Sequence, residues 1–488
     1  MKRFAVFVIL VISIFNSACF AKDIEVLMDG EKITFDTVPI IENDRTLVPF
    51  RKIFETLGYK ISWDSNNKKV NAIKKGKEIE LTIDNKNIIV NGETISSDIA
   101  PKIINSRTYV PIRIVSEYSD CDVLWDSVTK TVLIYKKQEP YEMGTQDAFA
   151  RFATDGKYIY YSPFEENVYR FTESLQKKEL PFKVEDSLNV YKNKLYARIK
   201  KEEYDFHLES VDLKDFKNKD ISNQEIRGSV IHNGKIYYEY FPSSIDKDKK
   251  NTGIYVMDIN GKNKKQICYS QYRLGKFYVT DEYIFAGKRM YEIKSGKETI
   301  LTDYSVTVTA MDDENYYMTI QEKKHSIITP IGVYAYNYKT NATNLYPFNR
   351  IIGDIEVTDN SIYMTWEKDV EDSRAMYVQD NNYKDSYFIV RLTKDFEYPV
   401  VIYKGINYIG QDKNGNEISW YGGIPKDIEV IGNYVYFNNL LVYSYVERVS
   451  TDGKEITNLN EFWKYEVKEE NDSDYKYTIG DFTKDLRN

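Results

Sequence analysis

Two patterns of apolar positions divide the chain. Over residues 24–137, apolar residues recur at helical spacing in two places and alternate in short runs elsewhere. Phe50, Ile53, Phe54 and Leu57 fall three and four apart. Pro49 ahead of them suits a first helical turn, and Gly58 after them suits a helix end. The pattern then predicts a strand over 60–63, a polar Asn-Asn-Lys-Lys turn, a strand over 70–73 and a hairpin of 78–83 with 87–90. Beyond about Pro140 the helical spacing disappears. A turn of Asp, Asn or Gly leads into an alternating aromatic strand, and a second strand closes on Asp, Asn or Gly. The clearest copy is Asn233-Gly234-Lys235-Ile236-Tyr237-Tyr238 followed by residues 254–261. Others begin at Asp155, Lys192, Asp281, Asp313, Asp359 and Gly432.

The first region repeats itself. RTLVPFRKIFETLGYKISWD at 45–64 returns as RTYVPIRIVSEYSDCDVLWD at 107–126, an offset of 62 without a gap. Arg45/Arg107, Thr46/Thr108, Val48/Val110, Pro49/Pro111, Arg51/Arg113, Glu55/Glu117, Trp63/Trp125 and Asp64/Asp126 are identical pairs. Thr-x-Val-Pro runs extended, because the residue before proline is driven out of the α region. Residues 22–138 are therefore expected to form an α+β domain of two helix-plus-antiparallel-strand repeats. Arg51 and Arg113 sit near helix starts, where positive charge is disfavoured. They contact a ligand, or each is clamped by Glu55 or Glu117 four residues on, or by the following Trp-Asp pair; the clamp is the preferred reading.

In the second region the phrase occurs seven times over 141–463, about 46 residues per copy, which suits a four-stranded propeller blade. Aromatic alternation gives each sheet two apolar faces for its neighbours to cover, and the arrangement limits exposed sheet edges. Residues 139–463 are expected to form an all-β propeller of seven blades; the uneven spacing also accommodates six or eight. Residues 399–431 read as an insertion before the last blade, and 464–488, with its EVKEENDSD charge run, as a polar tail.

Residues 1–21 pair basic Lys2 and Arg3 with an apolar run and small residues, the pattern of a secretory signal peptide cleaved after Ala21. Cys19 offers a rival, cleavage before a lipid-modified cysteine, although Asn16 stands where an aliphatic residue is usual. No later segment is apolar for long enough to span a membrane. Cys121 and Cys268 lie in separate predicted domains, so no bridge is expected and stability must come from core burial.

Charge and chemistry narrow the function further. Lys plus Arg total 67 against 75 Asp plus Glu, a net charge of −8 that argues against a nucleic-acid partner. The 43 tyrosines favour sheet; most read as blade interior, with a few at loop ends able to line a binding face. His207, His232 and His325 are scattered and read as ordinary strand or loop residues. Asp412, Asn414 and Asn416, and Asp246 with Asp248, offer oxygen ligands for calcium but lack the glycine and terminal acid of a calcium loop; both read as solvated loops. A glycosidase needs two carboxylates, and no spacing singles out a pair. No catalytic, cofactor-binding or metal-binding residue is therefore assigned, and no cofactor is expected.

The Arg-Thr-x-Val-Pro-x-Arg segments, the helix ending near glycine and the Trp-Asp pairs together resemble the copper amine oxidase N-terminal-like domain, or stalk domain, over about residues 24–137. The resemblance implies an accessory module of secreted and surface proteins in low-GC Gram-positive bacteria. It does not bring the oxidase chemistry. The quinone tyrosine of those enzymes stands in an Asn-Tyr-Asp/Glu context, whereas here Asn-Tyr is followed by Tyr317, Lys339, Lys384, Ile409 or Val435. Their copper site takes three histidines, and this chain has three, with no closely spaced pair. The Tyr-rich phrase is similar to the extracellular propeller family related to low-density lipoprotein receptor propellers, without its Tyr-Trp-Thr-Asp tetrad; Tyr363-Met364-Thr365-Trp366 is a distant echo. The expectation is an exported, non-enzymatic protein of the cell envelope or exterior, whose propeller face binds an envelope protein or wall polysaccharide. The alternative is a carbohydrate-active propeller enzyme using paired carboxylates.

Overall fold

The structure, a computed structural model, describes residues 23–459 apart from position 44 and segments 127–128, 140–147, 164–166, 203–204, 223–225, 242–250, 325–326, 349–351, 368–386, 405–407, 412–416, 421–424 and 441–443. The signal segment, Cys19 and the C-terminal tail lie outside this range. The described residues form two compact units: 23–27, 32–118 and 125–132 in the first, and 28–31, 119–124 and 133–459 in the second.

In the first unit, strand Arg45–Pro49 runs directly into helix Phe50–Thr56, and strand Arg107–Pro111 into helix Ile112–Tyr118. Pro49 is extended (φ −60°, ψ 113°), so it ends the strand instead of lying in the first helical turn. After Thr56 the helix closes in a Schellman motif. Gly58 takes φ +85°, its N–H reaches Glu55 O at 3.0 Å and the Tyr59 N–H reaches Phe54 O at 2.9 Å. The accompanying apolar contact is an edge-on packing of Tyr59 against Phe54, ring centroids 5.2 Å apart.

The two copies are related by a local two-fold. Their strands pair antiparallel with Val48 opposite Val110, Leu47 opposite Pro111 and Pro49 opposite Tyr109. Leu47 and Tyr109 are equivalent positions, as are Pro49 and Pro111, so the Val48–Val110 pair lies on the axis. The outer salt bridges obey the same symmetry. Arg45 Nε binds Asp98 Oδ2 at 2.8 Å, and Arg107 Nε binds Asp36 Oδ2 at 2.7 Å. Asp36 and Asp98 are themselves 62 apart, so each copy's arginine is held by the other copy's aspartate. Exposed pairs of this kind contribute at most about 1 kcal/mol each; their effect is to fix orientation.

The expected clamp of Arg51 by Glu55 is not formed. Arg51 is exposed and makes no ion pair with Glu55 among the described residues. Arg113 reaches Asp98 at 3.3 Å, sharing it with Arg45, and the Glu117 side chain lies outside the described residues. The aspartates of the Trp-Asp pairs instead organise the turns that follow. Asp64 Oδ1 accepts the N–H groups of Asn66 and Asn67, and Asp126 Oδ2 accepts the Thr129 hydroxyl at 2.7 Å. A five-stranded antiparallel meander of 60–64, 69–74, 77–82, 87–90 and 93–96 completes this unit.

The second unit is a β-propeller-like series of repeated sheets. Seven four-stranded antiparallel sheets span 152–183, 186–222, 226–269, 277–300, 305–347, 352–404 and 425–458 among the described residues. All seven aromatic phrases fall at the turn between the first and second strands. The insertion expected over 399–431 is smaller. Val400–Lys404 is the fourth strand of the sixth sheet, Pro425–Ile431 is the first strand of the seventh, and only the hairpin Tyr408–Gln411/Glu417–Trp420 lies between.

No sheet of four short strands buries its own faces, and the cores accordingly form between sheets. Leu180 and Leu195 share the core between the first and second sheets, and Leu208 and Ile236 the next. Ile254 and Ile284, Phe285 and Met318, Val333 and Ile355, and Ile389 and Val435 continue the series. The last core joins the seventh sheet to the first, with Tyr436 against Phe152 at a centroid distance of 5.4 Å. Burial of hydroxyl-bearing rings requires partners. In two sheets the turn aspartate supplies one: Tyr160 OH donates to Asp155 and Tyr317 OH to Asp312, both at 2.8 Å.

The turn between third and fourth strands holds at least one left-handed residue in every sheet: Leu175, Phe216, Gly261, Gly296, Asn341, Phe396 and Gly453, joined by Asn263 in the third sheet and Tyr398 in the sixth. At Gly261 an added Cβ would stand 2.1 Å from Ile221 O of the preceding sheet, so glycine is required twice over. Gly261→Ala is expected to destabilise this unit by about 2–4 kcal/mol in urea titration. Gly156→Ala, left-handed but meeting nothing within 4 Å, should lose no more than about 1–2 kcal/mol.

Burial pushes the Asp312 carboxyl up, but the Lys394 ammonium and the N–H groups of Glu314 and Asn315 outweigh it, and the group titrates below its usual range. Its stabilisation is thus present above the unfolded carboxylate range, about pH 4, and disappears as pH falls through the lowered value. Asp312→Asn should cost stability at pH 7 and progressively less at lower pH, read from urea midpoints across the pH range.

Candidate binding face

The two ends of the sheet series in the second unit differ. At one end, first and second strands are joined by uniform short turns, from 192–193 to 358–361. At the other, second-to-third connections range from 287–288 to 241–252 and 368–386, and the fourth strand of each sheet crosses to the next first strand. Variable connections on a regular scaffold are the ordinary place for recognition.

First strands of successive sheets lie against one another without pairing as a ladder, so their polar groups need other partners. Side chains supply them. Asn189 donates to Ser229 O at 3.0 Å and accepts the Ile231 N–H at 2.9 Å, tying the second sheet to the third. Tyr278 OH donates to Thr309 O at 2.7 Å, tying the fourth to the fifth. Asp354 accepts the N–H groups of Ile355 and Ile428, both at 2.9 Å, tying the sixth to the seventh. Register shifts in five first strands make room for these bonds. Chain entry uses them as well: Ala148 O accepts the Ser229 N–H and the Ser187 hydroxyl, and Ala150 O accepts the Leu188 N–H.

These strands bring Lys276, Asp354 and Asp427 into electrostatic contact. Burial raises the Asp354 carboxyl above its usual range and Asp427 adds to the rise, while Lys276 and the two N–H donors oppose it. Both Asp354 oxygens are taken by peptide N–H groups, so this carboxylate holds strands together. Glu239 is likewise raised by burial and accepts the Leu274 N–H at 2.6 Å. Repeat spacing alone did not point to these residues. Aligning the first strands on their turns is the signal that finds them: Lys276, Asp354 and Asp427 then occupy one station.

A second polar cluster of the same unit is fully buried. Arg391 and Asp122, each 2% exposed in the side chain, pair at 2.8 Å. Arg391 also donates to Ser361 Oγ and Thr451 O and lies over the Tyr135 ring at 3.9 Å, and Thr451 donates to Asp122. Both charged groups are hydrogen-bonded, which is the condition under which such a pair is tolerated.

The remaining sequence candidates separate. His232 pairs with Asp281 at 2.8 Å near the short-turn end, and His207 lies 3.9 Å from Asp220. His325, Asp246, Asp248, Asp412, Asn414 and Asn416 lie outside the described residues. Cys121 and Cys268 are both buried. Among the described residues, no group of three His, Cys, Asp or Glu side chains is placed to hold a metal, and no helix is long and apolar enough to cross a membrane.

Residues 27–134 match the family model of the copper amine oxidase N-terminal domain. No curated protein matches the chain. Among solved structures, the β-propeller domain of the Trilobed protease from Pyrococcus furiosus aligns at 13% identity and TM-score 0.40, over 64% of this chain and 97% of that one. TolB from Acinetobacter baumannii aligns at 11% identity and TM-score 0.32, over 61% and 77%. The computationally designed Ika8 protein aligns at 10% identity and TM-score 0.37, over 66% and 99%. The propeller-like description rests on the sheets and cores of this chain.

Removing one partner of the Arg391–Asp122 pair leaves a buried charge. Arg391→Met should cost about 3–5 kcal/mol, whereas Arg391→Met combined with Asp122→Leu should recover much of that loss. Urea unfolding of both variants measures the difference.

Proposed function

We propose that this chain is an exported, non-catalytic binding or scaffold protein of the cell envelope or its exterior. In this reading an α+β stalk-like module of two helix-plus-strand repeats accompanies a closed seven-bladed propeller, related to the low-density lipoprotein receptor type. Its variable-connection end holds an envelope protein or wall polysaccharide. The seven shared cores, with the last returning to the first sheet, support seven blades. The signal pattern of residues 1–21 supports export, with cleavage after Ala21 preferred over lipid anchoring at Cys19.

The observation that carries the reading is the contrast between the two ends of the sheets: near-identical turns at one, unequal connections at the other. The carboxylate drawn into the first strands also favours binding over turnover, because Asp354 spends both oxygens on peptide groups.

The test is retention of envelope protein and glycan fractions by the mature chain, residues 22–488. Capture is expected, weakened by Tyr272→Ala at the variable end and unaffected by Lys157→Glu in a short turn at the opposite end. Release of sugar products from a retained glycan, or no retention at all, overturns the reading.

A further inference from the structure

The fourth sheet is the shortest of the series. Its second strand, Tyr283–Ala286, turns back at once through Gly287 and Lys288, with Ala286 opposite Arg289. The second strand of the fifth sheet, Asn315–Lys324, is much longer and pairs along its whole length with Ile327–Asn337. Aligned on their turns, Ile284 and Tyr316 are equivalent. The fifth sheet therefore continues six residues further toward the variable end, about 20 Å at the strand rise. On the other side the third sheet continues to Tyr240, two residues further, about 7 Å. Sheets pack about 10 Å apart, so the fourth leaves a gap of roughly one sheet's thickness between taller neighbours. Among the described residues, a step of that size suits a single extended polymer chain.

The chain segments bordering this gap carry exposed aromatic rings. Tyr272 is 60% exposed, Tyr269 51% and Tyr304 44%. Tyr269 ends the fourth strand of the third sheet, Tyr272 lies in the crossing to the fourth, and Tyr304 lies in the crossing from the fourth to the fifth. Most other tyrosines in these sheets are buried, so exposure here is a local departure from the pattern. Basic groups accompany the rings: Arg273 follows Tyr272, Lys276 opens the fourth sheet and Lys288 sits in its two-residue turn. The acids nearby are partly engaged. Glu239 is buried beneath the Leu274 N–H with Arg273 and Arg227 near it, Asp354 and Asp427 face Lys276 with both Asp354 oxygens on peptide N–H groups, and Glu298 pairs with Arg289 at 3.2 Å; Asp303 lies beside Tyr304. Cations grouped this way stand out in a chain of net charge −8.

We propose that the notch over the fourth sheet binds one strand of an anionic glycan. The tyrosine rings stack on the apolar faces of sugar units, and Arg273, Lys276 and Lys288 meet carboxylate or phosphate groups along the polymer. The charge selects acidic polymers that the rest of this acidic surface repels. This assignment rests on the binding reading above and names the ligand class and place.

Isothermal titration of the mature chain with polygalacturonate and with poly(glycerol phosphate) tests it, with dextran as neutral control. Binding of at least one anionic polymer is expected, weakening as salt rises; which polymer binds identifies uronate or phosphate as the recognised group. Tyr272→Ala and Tyr304→Ala should each weaken binding about three- to tenfold. Lys288→Glu should weaken it further at low salt. All three positions are exposed or half-exposed, and unchanged thermal unfolding verifies the fold. Equal binding by the wild type and the three variants overturns the notch while leaving a binding protein. Dextran bound as tightly as the acidic polymers, or no binding of either acidic polymer, also overturns it. Absence of any envelope ligand in the retention experiment removes the underlying reading instead.

Discussion

Burial between sheets, not within them, is the constraint on which the second unit depends. A four-stranded sheet of short strands has two apolar faces and no layer of its own to cover them. Each face must therefore be closed by a neighbour, and the requirement passes from sheet to sheet until the seventh meets the first through Tyr436 and Phe152. Tyrosine suits this duty. Its ring fills the space between sheets and its hydroxyl reaches a turn aspartate or a backbone carbonyl, as at Tyr160, Tyr317 and Tyr278. The abundance of tyrosine is a consequence of that geometry more than a sign of ligand stacking.

The same constraint explains where polar side chains were recruited. First strands of adjacent sheets approach closely without forming a ladder, and Asn189 and Asp354 bridge them with side-chain to backbone bonds. Each such bond is worth about 1 kcal/mol net, but leaving the buried N–H groups unpaired costs more. A carboxylate in a cleft is often read as a catalytic group; at Asp354 the pair of N–H donors identifies a joint between strands.

Much of this was legible in the sequence, and the parts that were not have physical causes. The seven turn-plus-aromatic phrases are readable because the turn chemistry is local: Asp or Asn at the start and alternation after it. The duplication at 45–64 and 107–126 is readable because it is gapless. Helix spacing suggested Glu55 for Arg51, which makes no such pair, and gave no sign that the two-fold brings the opposite copy's aspartate to Arg45 and to Arg107. The supposed insertion at 399–431 contained an outer strand, which is half-exposed and therefore weakly patterned. The glycine at 261 is a long-range requirement, set by Ile221 of another sheet, and no local pattern announces it.

The axis through Val48 and Val110 has a further implication. A polypeptide carrying only one copy would leave the edge of its 45–49 strand unpaired and its Arg45 without the partner's aspartate. Two such molecules could satisfy each other across the identical contact, as a symmetric homodimer. Joining the copies in one chain replaces that encounter with an intramolecular one, so the module's integrity no longer depends on how much protein is present.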